Sequence, residues 1–311
     1  MQDPFFSIII SSYNQADYIE QCIRSCINQT YKKFEIIVID NFSDDGTDLI
    51  LNKFKNEIIC KKIHNNDIIS KSKNLGITLS KGKWLAFLDT DDYWFKEKLS
   101  KQIEKVNNSD FILCYAGVDE IDESGKKIRS VIPNIKDGYQ LGIHLNQFNI
   151  NMVTPIISNA ALKEFNIKFD KLIIASEEYN IFLKLACVGK FCTIKEVLGV
   201  WRIRRNSLTS ESYMFWYKDR RRTLDSLKDL MPDIEKKFPK EYNTAYSTSI
   251  YYEARSLIIS GNKKKAIYLL KSIRHNSKVF FMLWLISYSN FLWKLIHKEY
   301  IKRKISNLFS N

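Results

Sequence analysis

"SIIISSYNQADYIEQCIRSCINQTYKKFEIIVID", Ser7 to Asp40, decides the fold. Its ends lie in two short isoleucine-rich runs, Phe6 to Ile10 and Phe34 to Asp40, of the kind that a parallel sheet covered on both faces requires. Between them Ile19, Cys22, Ile23, Cys26 and Ile27 recur at helical spacing, so the stretch predicts a β-α-β unit. Working outward, Lys83 to Asp89 reads as a third strand, preceded by a helix around Lys71 to Leu79 that Gly82 helps to end. Asp110 to Ala116 reads as a fourth, and "VDEIDESGKKIRSV" as a hairpin turning at Ser124-Gly125. "SEEYNIFLKLACVGK" predicts a helix capped by Ser176, with Glu177 and Glu178 in its first turn and Gly189 as its stop. "FCTIKEVLGVWRIRR" follows as one or two strands, whereas Pro133 to Phe169 has no readable pattern. From about Ser212 the chain is helical and basic, with a helix-turn-helix that breaks at Gly261-Asn262 and does not repeat, so a solenoid is not supported.

A chain of 311 residues with 45% apolar content can bury one sizeable core, or a core plus an appendage. The six cysteines form no C-x-x-C pair and the four histidines lie far from metal-finger spacing, which points to reduced thiols in a cytosolic protein. Met1 to Pro4 leads straight into "FFSIII" without a basic leader or a small-residue cleavage site, so export is not expected. The net charge of +13 is unevenly spread. From Glu211 onward there are 20 Lys and Arg against 9 Asp and Glu, a net of +11, which leaves +2 for the rest. That asymmetry predicts an anionic surface near the C-terminal portion.

Ligands of open α/β sheets bind at the carboxyl ends of the strands, where the departing loops diverge. Three segments point there: "SSYN" (Ser11 to Asn14), "DNFSDDGT" (Asp40 to Thr47) and "DTDD" (Asp89 to Asp92). Carboxylates two residues apart suit one hard divalent cation, Mg²⁺ or Mn²⁺, that leaves coordination positions for phosphate oxygens. A nucleoside diphosphate would need such a charge. Equally, an acidic turn can cap a helix beginning near Trp94.

Three blocks in this order and spacing, "SIIISSYNQADYIEQCIRSCINQTYKKFEIIVIDNFSDDGT", "SKSKNLGITLSKGKWLAFLDTDDYW" and "SEEYNIFLKLACVGKF", resemble family-2 glycosyltransferases of the GT-A fold over roughly residues 5–210. The resemblance implies an α/β, Rossmann-like nucleotide-sugar-binding domain in residues 1–211 and a mainly helical, basic extension in 212–311. It implies a nucleotide site containing Ser11, Tyr13, Asn14, Asp40, Lys73 and Asp89. Tyr13 and Asp40 match nucleobase contacts, the ring by packing and the carboxylate by accepting a base N–H. Asp89 matches an acid near the ribose and metal, and Asp91 a direct ligand of Mn²⁺ or Mg²⁺; Asp92 stands behind them or caps the next helix. Glu178 corresponds to the base that accepts the acceptor hydroxyl's proton in inverting transfer, with Glu177 before it. Departures are visible. Lys73 replaces a usual arginine and loses bidentate contact. Glu-Glu replaces Glu-Asp, Asn41-Phe42 replaces Asp-Gly, and Arg204 stands where a histidine is common. Arg204 could clamp diphosphate as a fixed charge, or Arg202, Arg204 and Arg205 could be a solvated strand face. Without the resemblance, Glu177 and Glu178 need only favour the positive end of a helix.

Val279 to Trp293 is uncharged but interrupted by Ser287, Ser289 and Asn290, and a bilayer span needs about 20 apolar residues. Surface insertion is expected instead, with Trp284, Tyr288, Trp293 and Tyr300 at headgroup level and Lys298, Lys302, Arg303 and Lys304 on anionic lipid. The alternative is ordinary core packing. No nucleic-acid motif accompanies the charge. The expected function is inverting, metal-dependent transfer from a nucleotide-sugar donor, a UDP-hexose, to a hydroxyl of a membrane-borne saccharide at the cytoplasmic face, as in O-antigen or capsule synthesis. A sugar-phosphate nucleotidyltransferase would bring a Gly-rich phosphate loop that "SSYNQAD" lacks, and a non-catalytic membrane module would not need Asp89, Asp91 and Glu178 together.

Overall fold

The computed structural model describes residues 5–204 and 214–297. Arg205, the division at 211/212, and Lys298, Tyr300, Lys302, Arg303 and Lys304 lie outside the described residues. The first elements are β1 (Phe6–Ser12), α1 (Ala16–Ile27), β2 (Phe34–Asp40), α2 (Thr47–Lys53), β3 (Ile59–Lys62), α3 (Ile69–Leu79), β4 (Trp84–Asp89) and β5 (Tyr93–Trp94). Then come α4 (Lys98–Val106), β6 (Phe111–Ile121), β7 (Lys127–Val131), α5 (Leu141–Asn146), β8 (Ile156–Ser158), α6 (Asn159–Glu164), α7 (Glu177–Val188) and β9 (Lys190–Arg202). The rest is helical: α8 (Trp216–Leu230), α9 (Ile234–Lys237), α10 (Pro239–Ile259), α11 (Lys263–Ile273), α12 (Lys278–Ile286) and α13 (Asn290–Ile296).

The strands form one sheet in the order β3-β2-β1-β4-β8-β6-β9-β5, with β7 paired to β6. β1, β2, β3 and β4 are parallel, so their carboxyl ends share one edge. β8 enters antiparallel between β4 and β6. Side chains alternate across each strand, and both faces of β1, β2 and β4 are buried. Ile9, Leu85 and Phe87 enter one core with α7, α8 and α10, while Ile8, Ile10, Ala86 and Leu88 enter the opposite core with α1 and α4. This double burial is the reason for the unbroken isoleucine runs. Each fully buried Ile contributes about 1.5–3 kcal/mol. A third, smaller cluster holds α10 to α13 together through Ala254, Ala266, Leu270, Ile273, Phe280 and Trp293.

Three local expectations change. No helix begins near Trp94: Tyr93 and Trp94 pair with Val200 and Gly199 of β9, and α4 starts at Lys98. Gly82 does not end α3, whose C-cap is Ser80 in an extended conformation. Instead the chain passes so close to β1 that a Cβ on Gly82 would stand 2.4 Å from the Ser7 nitrogen, which only glycine permits. Finally, the uncharged C-terminal stretch is two short helices, α12 and α13, the second capped by the Ser289 hydroxyl accepting from the Leu292 N–H at 3.3 Å. Among the described residues no helix is long and apolar enough to cross a membrane.

Candidate active site

Parallel register brings the expected segments together. Ser11 lies opposite Asp89 and Ser12 opposite Asp40, so the last residues of β1, β2 and β4 stand side by side. Ser11 and Ser12 are the end of β1 rather than the loop, and their buried hydroxyls have no partner among the described residues. The loops beyond are cross-linked. The Ser43 hydroxyl accepts from the Asn14 N–H at 2.9 Å and donates to Asp40 Oδ1 at 2.6 Å, while the Ser43 N–H donates to Asp40 Oδ2 at 3.0 Å. Asn14 adopts a left-handed φ of 50° and its side-chain oxygen accepts from the Asp44 N–H. Asp45 accepts from the Ala16 N–H at the start of α1 and from the Thr47 N–H at the start of α2, stabilising both helix ends at once.

Tyr13 is 52% exposed. Asp40 is fully buried, with both carboxylate oxygens engaged by Ser43. In the Asn41-Phe42 turn Phe42 is left-handed (φ 56°) and its ring stacks on His64 at 3.9 Å between centroids. The Asn41 side-chain oxygen accepts from the Asn65 N–H at 2.9 Å.

Lys73, buried on α3, joins the two halves of the site. Its ammonium donates to Glu177 Oε1 at 2.9 Å and lies 3.7 Å from Asp89 Oδ1. Burial works against the charge, but Asp89 and Glu177 outweigh it and hold the Lys73 pKa well above the ordinary value. Lys73 therefore stays cationic.

Asp91 is paired with Arg204, whose Nε lies 2.6 Å from Asp91 Oδ2. Burial raises the Asp91 pKa, Arg204 opposes that, and Asp89 adds to it. Asp92 caps no helix: its Oδ1 accepts from the Arg202 N–H at 2.8 Å, which ties the acidic turn to the end of β9. The guanidinium groups of Arg202 and Arg204 lie 5.1 and 5.3 Å from the ring centre of Tyr18, so neither belongs to a plain solvated strand face. Among the described residues no group of three His, Cys, Asp or Glu could hold a metal. Asp89 and Asp91 supply oxygen donors only, and an ion such as Mg²⁺ commonly binds one or two carboxylates and takes its remaining ligands from phosphate and water. The donor set fits that chemistry once Arg204 releases Asp91.

Glu177 and Glu178 open α7, but Ser176 makes no cap bond there. Its hydroxyl donates instead to Asp219 Oδ2 at 3.3 Å, and the same carboxylate accepts from the N–H groups of Ile174 (3.2 Å) and Ala175 (2.8 Å). Asp219, on α8, thus fixes the loop that aims the two glutamates. Sequence reasoning missed it because a lone aspartate between Lys218 and Arg220 on a basic helix carries no sign of partners some 43 residues earlier. Burial, reinforced by the Glu177 carboxylate, pushes the Glu178 carboxyl up to about 8.

Residues 7–163 match the family described as Glycosyl transferase family 2. An Escherichia coli protein, UDP-Glc:alpha-D-GlcNAc-diphosphoundecaprenol beta-1,3-glucosyltransferase WfaP, is 33% identical over 210 residues, 67% of this chain and 80% of its own. An uncharacterized glycosyltransferase of Rickettsia bellii is 30% identical over 210 residues, again 67% of this chain, but this stretch spans only 30% of that relative. Among solved structures, S. aureus TarS 1-349 in complex with UDP-GlcNAc superposes with a TM-score of 0.62 over 91% of both chains at 18% identity, a likeness of fold. With the three blocks, the shared strand-end edge and the match over half of its length, the chain belongs to glycosyltransferase family 2 and has the GT-A fold.

Proposed function

We propose that this glycosyltransferase catalyses inverting, metal-dependent transfer of a hexose from a UDP-sugar to a hydroxyl of a lipid-linked oligosaccharide or surface-polysaccharide precursor, at the cytoplasmic face of an anionic membrane. The observation that carries the reading is the Lys73 bridge, which ties the strand-end carboxylate Asp89 to the start of α7. One cation thereby holds the diphosphate end of the site and the glutamates in a fixed relation, as displacement at an anomeric carbon requires.

Tyr13 packs on the nucleobase, Asp40 accepts a base N–H, and Ser11 and Asn14 line the same pocket. Glu178 takes the proton of the acceptor hydroxyl as its oxygen bonds to the anomeric carbon; the carbon–phosphate oxygen bond breaks on the opposite face, and the nucleoside diphosphate leaves with the electron pair. Glu177 is engaged by Lys73, which leaves Glu178 for that task. A divalent ion on Asp89 and Asp91 would neutralise the leaving diphosphate. Arg204 adds a fixed positive charge at the same place. The sequence relationship to WfaP, whose name describes a UDP-Glc donor and a diphosphoundecaprenol-linked acceptor, supports the choice of donor and acceptor class.

The test is a panel of UDP-, GDP- and dTDP-sugars with Mn²⁺ or Mg²⁺, scored by donor hydrolysis and thermal stabilisation. Stabilisation by a UDP-sugar that EDTA abolishes, and that Asp91→Ala abolishes, is expected. Metal-independent transfer retained by Asp91→Ala would overturn the mechanism.

A further inference from the structure

The C-terminal helices carry a surface that the catalytic reading does not use. On α12, Phe281, Met282 and Leu285 are 44%, 50% and 49% exposed; on α13, Phe291, Leu292 and Leu295 are 73%, 44% and 37% exposed. The two triplets have the same i, i+1, i+4 spacing, one helical stripe each. Tyr288, 56% exposed, stands in the turn between them. The opposite sides of the helices, Phe280 and Trp293, are in the small core with α10 and α11, so the stripes are left over after packing.

The charges around this surface are of one sign. Ala254 to His297 contains eight Lys and Arg and no Asp or Glu. Beside the stripes, a cleft of about 350 Å³ is lined by Arg255, Ile259, Trp293, Lys294 and His297. His297 is committed within the protein, its Nε2 lying 2.7 Å from the Tyr251 hydroxyl oxygen and its Nδ1 2.8 Å from the Trp293 carbonyl oxygen. Lys294, exposed on α13, stands at the edge of this cleft. Helices of nine and seven residues cannot span a bilayer, which needs about 20. They suit burial at the headgroup boundary, where apolar side chains enter the acyl region and flanking cations meet lipid phosphates.

We propose that the stripes of α12 and α13 are a docking face for an anionic phospholipid surface, with the exposed Lys278 and Lys294 beside them meeting lipid phosphates. The proposal deepens the membrane-borne acceptor reading and rests on it: a face that holds the enzyme at the bilayer brings the site to a lipid-linked substrate. A nucleic acid would be drawn to the cations but would leave the aliphatic stripes in water, so it does not account for both features.

The experiment is vesicle co-sedimentation of the full chain, with phosphatidylcholine alone and with added phosphatidylglycerol, at low and high salt. Wild-type protein should sediment with the anionic vesicles at least tenfold better than with the neutral ones, and high salt should weaken this. Phe281→Ser/Leu285→Ser/Phe291→Ser should lose tenfold or more of that binding. Lys278→Gln/Lys294→Gln should lose the preference for phosphatidylglycerol. All variants should keep wild-type hydrolysis of the UDP-sugar in solution, since none touches the catalytic cluster. If the triple variant does not fold by circular dichroism, Phe291→Ser alone, at the most exposed position, carries the comparison. Wild-type binding to neither vesicle, or triple-variant binding equal to wild type, overturns the docking face. A wild-type dimer that the triple variant splits on size exclusion, with no vesicle binding, assigns the face to a second copy and also overturns it. Vesicle binding without turnover of any nucleotide sugar would instead count against the catalytic reading and leave the docking face intact.

Discussion

Glu177 and Glu178 are neighbours with the same side chain, and Lys73 bonds only the first of them. The lysine binds Glu177 at 2.9 Å, while burial beside that carboxylate raises Glu178 to about 8. In the proposed role of base Glu178 must be ionised to act, so kcat/KM should rise with pH and level off above about 8. Glu178→Gln should lower kcat by about 10²–10⁴-fold and remove the limb, whereas donor binding, read by thermal shift, should persist. The same shift carries a stability sign. Folding raises Glu178 from 4.5 to about 8, so the folded chain binds more protons than the unfolded chain in that window, and the group's contribution to stability falls as pH rises through it. Urea titrations of Glu178→Gln should show a correspondingly shallower fall. Arg204 yields a second expectation. It is the internal counter-ion of Asp91, so Arg204→Gln should tighten Mn²⁺ binding to nucleotide-free protein by about tenfold, measured by water-proton relaxation. Unchanged affinity would mean that the pair does not compete with the ion. In the sequence Lys73, Glu177 and Glu178 stand out as candidates through the family's blocks. Their pairing was not, because a contact such as Lys73 to Glu177 joins residues 104 apart and leaves no local pattern.

At the scale of elements, legibility followed burial. β1, β2 and β4 are covered on both faces and announce themselves as apolar runs, and α7 announces itself by its acidic first turn and its closing Gly189. β3 is an exposed edge strand of sequence "ICKK", and β8 is three residues held by β4 and β6 on either side, so neither has enough local signal to be read. β5 reads as the start of a helix for the same reason: its two residues are strand only because β9 pairs with them. The missing cap of α7 has a similar origin, since the hydroxyl of Ser176 goes to Asp219 on α8 instead of its own helix. The consequence is testable at this scale. Asp219→Ala leaves the N–H groups of Ile174 and Ala175 without their acceptor, at a cost of about 1–3 kcal/mol, and frees the loop that aims Glu178. Hydrogen exchange at those two amides should accelerate. The rate constant kcat should fall at least tenfold with little change in KM for the donor, and Asp219→Asn, which keeps an acceptor oxygen, should recover part of it. A loss of stability with kcat intact would reduce Asp219 to a purely structural role.

For the whole molecule, the change in composition near residue 211 does not coincide with a change of core. Leu224 and Leu227 of α8, Ile234 of α9, and Tyr242 and Ala245 of α10 lie in the same cluster as Phe87, Leu113 and Tyr115 of the sheet. Only from Ala254 onward do the helices gather around a core of their own. The charge asymmetry thus does not coincide with a break in the packing, since the cluster shared with the sheet runs on into α10. Two truncations separate these readings. A chain ending at residue 210 strips one face of the sheet of Leu224, Leu227, Ile234 and Tyr242, each contributing about 1.5–3 kcal/mol when fully buried. That loss is comparable to the total stability of a typical domain, about 5–15 kcal/mol, and it also removes Asp219 from the glutamate loop. It should be insoluble or inactive. A chain ending at residue 260 keeps those contacts and loses only the partners of the small core, so it should fold cooperatively, hydrolyse the UDP-sugar, and fail to sediment with anionic vesicles. Circular dichroism melts, donor hydrolysis and vesicle binding of the two truncations decide the matter. If the chain ending at 210 were stable and active, α8 to α10 would be an appendage and the shared core would have no energetic weight.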